Sequence, residues 1–155
     1  MFKSLPALIS RNHADIISIG RKALNGDNRI APLFDHAASS AIWLKQYEES
    51  LPFCDRLILL NYDDPRGYSL RGETNFQLGK LDDSLRDFNK AIDLEPRQKN
   101  AFKLKRARTL IALSDYQAAL KDLDDFKSSS YCTNEFEAEV ELLRTNCIAN
   151  IKSNL

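Results

Sequence analysis

Few residues of this 155-residue chain have the types and spacing that catalysis or metal binding requires. The two histidines, His13 and His36, belong to no recognisable set of ligands, and the three cysteines show neither metal nor redox spacing. The sequence contains no glycine-rich phosphate loop and no nucleophile motif. The carboxylate pairs at 82–83 and 124–125 are typical of helix starts or solvated faces, because no ligand spacing accompanies them. The pattern favours a protein that is not an enzyme and that needs no metal or cofactor.

Charge and hydropathy narrow the class of partner. The 22 basic and 22 acidic side chains cancel, so no overall field favours nucleic acid or a membrane surface. Apolar runs are too short to span a bilayer, and the N-terminus lacks the apolar stretch and cleavage site of a signal peptide. An odd number of cysteines without metal spacing suggests a reducing compartment. We therefore expect one cytoplasmic domain.

Helical periodicity runs along the chain, and no alternating strand pattern competes with it. Two short interruptions, at 77–83 and 112–117, indicate helix–turn–helix joints. Asp64 before Pro65 has the spacing of a helix N-terminus, and Ser114 with Gln117 has the spacing of a capping box. The sequence therefore predicts an all-α protein built from helical hairpins.

Five sets of residues recur 34 and then 35 positions apart, in phase with one another. Small residues at such positions let paired helices approach to about 8–10 Å, and the larger residues fill the seam between successive hairpins. One additional residue near 97–99 accounts for the change in spacing. The five sets are Ala38, Gly72 and Ala107; Tyr47, Leu81 and Tyr116; Ser50, Ser84 and Ala119; Cys54, Phe88 and Leu123; and Leu57, Ala91 and Phe126.

A helical hairpin of this length, with this order of small, aromatic, small, bulky and proline residues, resembles the tetratricopeptide repeat. The resemblance covers about residues 13–127 and implies a right-handed α-solenoid of three hairpins, with an extra N-terminal helix and a C-terminal capping helix. The best-matching residues are Tyr68, Gly72, Leu81, Ser84, Phe88, Ala91 and Pro96. The predicted segments are an N-terminal segment with a half-repeat helix at 1–30, repeats at 31–64, 65–98 and 100–132, and the cap at 133–155.

The N-terminal helix looks like the second helix of a repeat that lacks its first helix, because Ala23 lies 34 residues before Leu57. Without a hairpin partner, Ile16, Ile17 and Leu24 are expected to be poorly covered. This end of the chain is therefore a candidate surface for a homodimer or for docking of the partner.

The C-terminal segment is predicted to cover the last hairpin, since stacked repeats must end in a cap that hides their apolar side. Its apolar residues recur on one helical face. They are Phe136, Val140, Leu143, Cys147 and Ile151.

The resemblance implies that the first helix of each hairpin lines a concave groove that holds a partner's peptide or helix. Trp43 stands out there, because its counterparts one and two repeats later are Gln77 and Ala112. A position that accepts Gln is not obligate core, so Trp43 is either a groove anchor or an ordinary packing residue. The predicted groove residues are Asp35, Ser39, Ile42, Trp43, Arg66, Ser69, Glu73, Phe76, Gln77, Leu104, Lys105 and Arg108.

Six basic residues fall within 97–108. Charge runs are usually solvated, and this one could face the acidic segment 135–141 of the cap; the alternative is a site for an acidic partner. Co-chaperones of the family hold a terminal carboxylate with a clamp of Lys, Asn, Lys and Arg. Only Lys105 conforms to that pattern, so the clamp is absent. The matching positions are Asp35, Ser39, Leu70, Ala101 and Lys105.

The leading hypothesis for function is an adaptor that grips a segment of another protein, with no role for nucleic acid or membrane. The second hypothesis is a dedicated secretion chaperone of the type III class, which shares this size, three repeats and flanking helices. A weaker alternative is an immunity protein that neutralises a toxin. No motif in the sequence separates these three roles.

Overall fold

A computed structural model describes residues 5–26, 29–95 and 99–153 of the chain. All regular secondary structure in these residues is α-helical, which confirms the all-α class. Pro96, the predicted end of the best-matching repeat, lies outside the described residues. The helices are α1 (Leu5–Leu24), α2 (Ala31–Trp43), α3 (Tyr47–Leu60), α4 (Pro65–Gln77), α5 (Leu81–Leu94), α6 (Lys99–Ala112), α7 (Tyr116–Lys127) and α8 (Asn134–Ser153).

The chain divides into two compact units, Met1–Gly79 and Lys80–Leu155. Helices α1 to α4 belong to unit 1, and helices α5 to α8 belong to unit 2. The boundary lies inside the predicted repeat 65–98, in the turn between α4 and α5. The description of the chain as a single domain with repeats at 31–64, 65–98 and 100–132 stays a prediction.

In unit 1, α1 packs against the hairpin of α2 and α3. Gly20 permits the close approach, because a Cβ atom there would lie 2.6 Å from Cβ of Ala37. Ile17 is only 3% exposed, and Ile16 and Leu24 pack partly buried against the same core. The expectation that these residues are poorly covered is wrong, because the α2–α3 hairpin packs over them.

In unit 2, α8 covers the hairpin of α6 and α7 as predicted. Val140 and Cys147 are fully buried, and Phe136 and Leu143 pack against the same core. The rings of Phe136 and Phe126 meet edge to face, with centroids 6.0 Å apart and an interplanar angle of 89°. The face predicted from the spacing of apolar residues is the face that α8 buries.

The turns at Lys45, Gly79 and Ser114 each place one residue in the left-handed region, with φ of 58°, 73° and 64°. These positions recur with the same 34- and 35-residue spacing as the core. Only one is glycine, and at the other two the conformation costs roughly 1 kcal/mol each. Because Ser114 takes this conformation, it is not the helix cap predicted from its spacing. Asp115 is the cap, and its carboxylate accepts a hydrogen bond from the backbone N–H of Ala118 at 3.1 Å.

A sixth repeated set, which was not identified from the sequence, consists of the buried hydroxyls of Ser40, Thr74 and Thr109. In unit 1 the Thr74 hydroxyl lies 3.1 Å from the hydroxyl of Ser50 on α3. In unit 2 the Thr109 hydroxyl lies 3.1 Å from the hydroxyl of Ser84 on α5. Both pairs are fully buried, so a hydrogen bond between side chains joins α3 to α4 and α5 to α6.

Removing one hydroxyl of a pair should destabilise the protein. Ser84→Ala removes the hydroxyl that pairs with Thr109, which then keeps only its bond of 3.4 Å to the backbone carbonyl of Lys105. We expect the free energy of unfolding to fall by about 1–2 kcal/mol. Thr109→Val should have a similar effect. The double variant should lose less than the sum, because it leaves no unmatched hydroxyl. Urea denaturation measures all three, with the exposed Ser130→Ala as control; additive losses would contradict the coupling.

Removing the capping helix should expose the core of unit 2. Without residues 133–155 the side chains of Leu120 and Leu123 lose their cover, although Leu123 is fully buried in the intact protein. We expect the truncated chain to aggregate or to lose its cooperative melt, because it presents a large apolar patch to water. Thermal denaturation and size-exclusion chromatography test this. A soluble chain with an unchanged melting temperature would show that α8 is dispensable.

Candidate functional site

The predicted groove residues of unit 1 lie on α2 and α4, and an ion pair connects these two helices. The guanidinium Nη1 of Arg66 lies 3.0 Å from Oδ2 of Asp35. The same guanidinium donates from Nη2 to Oδ2 of Asp64 at 2.8 Å. We call this surface the α2–α4 face, and its side chains are all exposed or half-buried. They are Asp35, Ser39, Ile42, Trp43, Arg66, Glu73, Phe76 and Gln77.

Two predicted groove residues do not reach the surface. Ser69 is 7% exposed and Leu104 is 5% exposed, and Leu104 belongs to the core of unit 2. Each lies three residues before the small residue of its helix, Gly72 or Ala107, and therefore shares the packed side of that helix. The prediction that they line a binding groove is wrong for these two.

The charged groups at the start of α4 stabilise one another. Asp64 caps α4 as predicted, with its carboxylate accepting from the backbone N–H of Arg66 at 2.9 Å. Hydrogen bonds from the Arg66 side chain hold the pKa of Asp64 below its ordinary value, and the same bonds raise the pKa of Arg66. Because the pKa of Asp64 is depressed in the folded state, its stabilising effect is present above the unfolded value of about 3.9 and is lost as the pH falls below it.

Trp43 is the largest side chain of the α2–α4 face and is 51% exposed. The imidazole of His13, on α1, stacks on the indole with centroids 4.5 Å apart and an interplanar angle of 26°. The Nδ1 atom of His13 lies 2.9 Å from the buried hydroxyl of Ser40. One side of the indole is therefore packed against a side chain that is itself held in place, and about half of the Trp43 surface stays open to solvent.

The sequence does not predict this role of His13, because a histidine outside any ligand set belongs to no recognisable pattern. A signal was available in the hydroxyl set, since Ser40 lies 34 residues before Thr74 and requires a partner of its own. That spacing indicates that Ser40 is buried, but it does not identify the partner. Only the packing of α1 on α2 brings His13 to Ser40 and Trp43.

In unit 2 the predicted basic run is largely paired within the protein. Arg106 donates two hydrogen bonds of 2.7 Å to the buried carboxylate of Asp122 and one of 2.7 Å to Asn89. Hydrogen bonding to Asp122 raises the pKa of Arg106. Lys103 forms an ion pair with Asp125. These five residues line part of a cleft of about 420 Å³, in which the charges of Lys103 and Arg106 are matched by the protein's own carboxylates.

The predicted groove residue Arg108 pairs with the capping helix. Its Nε and Nη2 atoms donate to Oε1 of Glu139 at 2.9 and 2.6 Å. Lys105 is half-buried on the same helix, α6. The interpretation that the basic run faces the acidic segment of the cap is confirmed for Arg108, while Arg97 lies outside the described residues.

The two arginine pairs of α6 should differ in their contribution to stability. Arg106→Met leaves the buried carboxylate of Asp122 unpaired and should lower the free energy of unfolding by about 3–5 kcal/mol. Arg108→Met should cost less than about 1 kcal/mol, because Arg108 and Glu139 have side chains 34% and 39% exposed. Urea denaturation compares the two variants. Equal losses would show that burial does not separate the pairs.

The described residues lack a metal site and a membrane-spanning helix. They contain no group of His, Cys, Asp and Glu side chains placed to hold a metal ion, and no described helix has the length and hydropathy to cross a bilayer. The cysteines Cys54, Cys132 and Cys147 are free. Burial raises the pKa of the Cys54 thiol to about 11, so this group is protonated at neutral pH.

The helical repeat of this chain has the fold of tetratricopeptide repeat domains. It is similar to the TPR2B domain of yeast Sti1 in a complex with pHsp70, with a TM-score of 0.70, 21% identity, and coverage of 77% of this chain and 96% of that one. It is similar to MamA with a TM-score of 0.69, 11% identity, and coverage of 99% and 98%. The first TPR of Spaghetti (RPAP3), bound to the HSP90 peptide SRMEEVD, gives a TM-score of 0.60, 24% identity, and coverage of 66% and 81%.

Comparison of the sequence with protein-family models gives no match, and comparison with curated proteins gives none either. The likeness to solved structures confirms the fold that the sequence resemblance implied. At these levels of identity the likeness establishes the fold alone. The binding partner has to be inferred from the residues of this chain.

Proposed function

We propose that this chain is a non-enzymatic protein-interaction module that holds a peptide or helical segment of another protein on the α2–α4 face. The observation that carries the proposal is the half-exposed indole of Trp43, stacked on His13. Trp is among the residues that dominate interface energies.

The contacts beneath Trp43 favour a binding role because they order the side chain before any partner arrives. His13 is held by Ser40, and Ser40 is buried in the core of unit 1. A side chain that is already ordered loses little rotamer freedom on binding, so more of its contact energy contributes to affinity. Ile42 and Phe76 supply half-buried apolar surface on the same face.

Two structural neighbours support a segment of another protein as the partner. The Sti1 domain is in a complex with pHsp70, and the Spaghetti domain is bound to an HSP90 peptide. The proposal places the chain in the reducing cytoplasm, which its three free cysteines support. A role as a chaperone or adaptor fits the same surface.

Self-association through α1 receives less support from the structure. Among the described side chains of α1, Ile19 is the one large hydrophobic residue that is exposed, at 54%. Its exposed neighbours Asp15, Ser18 and Lys22 are polar. A stable dimer buries about 800 Å² on each partner around an apolar centre, which the described side chains of α1, at residues 12–24, do not offer. The proposed partner is therefore a different protein.

Loss of the Trp43 side chain should weaken partner binding without unfolding the protein. The partner would first be identified by mass spectrometry of the proteins that co-purify with the chain from its native host. Trp43→Ala should then reduce the affinity by more than about 1 kcal/mol, measured by isothermal titration calorimetry. Lys90→Ala, an exposed position on α5, serves as control and should bind like wild type.

Circular dichroism must show that the Trp43→Ala variant keeps its helices, because a loss of binding through unfolding would say nothing about the face. Unchanged affinity of Trp43→Ala, together with weaker binding of the Lys90→Ala control, would place the binding surface elsewhere.

A further inference from the structure

We propose that two copies of this chain pair through the exposed side of α8, with the two α8 helices packed side by side and antiparallel. The inference goes beyond the proposed function, because it concerns a second copy of the chain and a helix of unit 2, and not the partner held on the α2–α4 face. The surface involved, which we call the α8 seam, consists of Glu135, Ala138, Leu142, Thr145, Ala149 and Lys152.

Helix α8 has apolar residues on two sides, and one of these sides is covered within unit 2. Val140 and Cys147 are fully buried in the core that α8 shares with the α6–α7 hairpin. Leu142, on the opposite side, is 71% exposed, and Ile148 is 37% exposed. These are the two exposed large hydrophobic side chains among the described residues of unit 2. Because the terminal element of a repeat array ordinarily presents a polar outer face to water, this apolar surface favours a further helix contact.

The spacing of the seam residues is that of a coiled coil. From Glu135 to Lys152 the successive intervals are three, four, three, four and three residues, and residues spaced in this way face a partner helix along its whole length. All six residues are exposed. The two alanines are small enough to let a second helix approach closely. The seam therefore has the pattern of a helix-pairing surface, and the hairpins of its own unit do not cover it.

The order of residues along the seam makes it complementary to itself in the antiparallel direction. In a pair centred between Leu142 and Thr145, each seam residue lies opposite the residue of the second copy at the same distance from the centre. The opposed residues are then Leu142 with Thr145, Ala138 with Ala149, and Glu135 with Lys152. Both ends thus join a carboxylate to an ammonium group, whereas a parallel pair would place like charges together. Each copy offers the same surface, so the contact closes as a two-fold dimer.

The other charges of α8 leave this complementarity intact. Glu139, Glu141 and Arg144 form ion pairs within unit 2. Glu137 lies two positions after Glu135 and therefore about 200° around the helix from it. The antiparallel order also brings the positive N-terminal end of each helix dipole to the negative C-terminal end of the other.

The size of the seam determines how strong the pairing is. Each copy contributes one helix of 20 residues, which is about 30 Å long. This contact is smaller than the interface of a stable dimer, so we expect a reversible dimer with a dissociation constant on the order of 10–100 µM.

Analytical ultracentrifugation of the full-length chain, at concentrations on both sides of this value, tests the inference. Leu142→Glu should weaken the dimer by more than about tenfold, because it places like charges at the centre of the seam. Leu59→Glu on α3 is the matched control, since Leu59 is also 71% exposed, and it should sediment like wild type. A wild-type chain that stays monomeric throughout, or equal behaviour of the two variants, would overturn the inference.

Exchange of the terminal charges tests the antiparallel order. Glu135→Lys alone and Lys152→Glu alone should each weaken self-association by about tenfold at low ionic strength, because each sets like charges opposite one another at both ends. An equimolar mixture of the two variants should associate like wild type, since every cation then meets a carboxylate of the other chain. Circular dichroism checks that both variants are folded. A mixture that associates no better than its components would overturn the antiparallel pairing.

The Trp43→Ala variant separates this inference from the proposed function. It should sediment like wild type, because Trp43 belongs to the α2–α4 face and not to the α8 seam. Loss of the dimer in Trp43→Ala, with Leu142→Glu unaffected, would show that copies of the chain associate through the α2–α4 face and would overturn the pairing through α8.

Discussion

A hydroxyl buried where two helices cross must be hydrogen-bonded, and this chain meets the requirement at one repeated position three times. Thr74 and Thr109 are paired with serines on the preceding helix. At Ser40 the partner is His13. Because an imidazole is longer than a serine side chain, it extends past the core and reaches Trp43 at the surface. The exposed aromatic residue of the candidate site is thus held in place by the same constraint that aligns the helices of the core.

Charge is distributed unevenly in a chain whose net charge is zero. In unit 2 the charges serve packing, since Arg106 and Asp122 form a bidentate pair in which the side chain of Asp122 is only 4% exposed. Such a pair adds little to net stability but favours one packing of α6 against α7, because a shifted helix would leave a buried charge unmatched. In unit 1 the ion pairs of Arg66 lie nearer the surface, since the side chain of Arg66 is 59% exposed.

The sequence was sufficient to predict the helices, the joints between them and most of the core. Repeated small residues such as Ala38 and Ala107 have to be buried for helices to cross, so spacing alone locates them. Spacing was insufficient wherever two side chains compete for one role. Ser114 and Asp115 both suit a helix cap, and the left-handed backbone of Ser114 decides between them. The contact of His13 with Trp43 depends on how α1 packs, which no local pattern encodes.

The side-chain bonds that connect the helices join residues close together in the sequence, and this separation affects the folding rate. The ion pairs of Arg66 with Asp35 and of Arg108 with Glu139 each span 31 residues, and the bond between Ser50 and Thr74 spans 24. Contacts of such small sequence separation require little loop-closure entropy before they form. Helical proteins of low contact order fold in microseconds to milliseconds, well ahead of proteins whose sheets must pair distant strands. A chain built in this way presents its apolar surfaces only briefly during synthesis, which limits its exposure to aggregation.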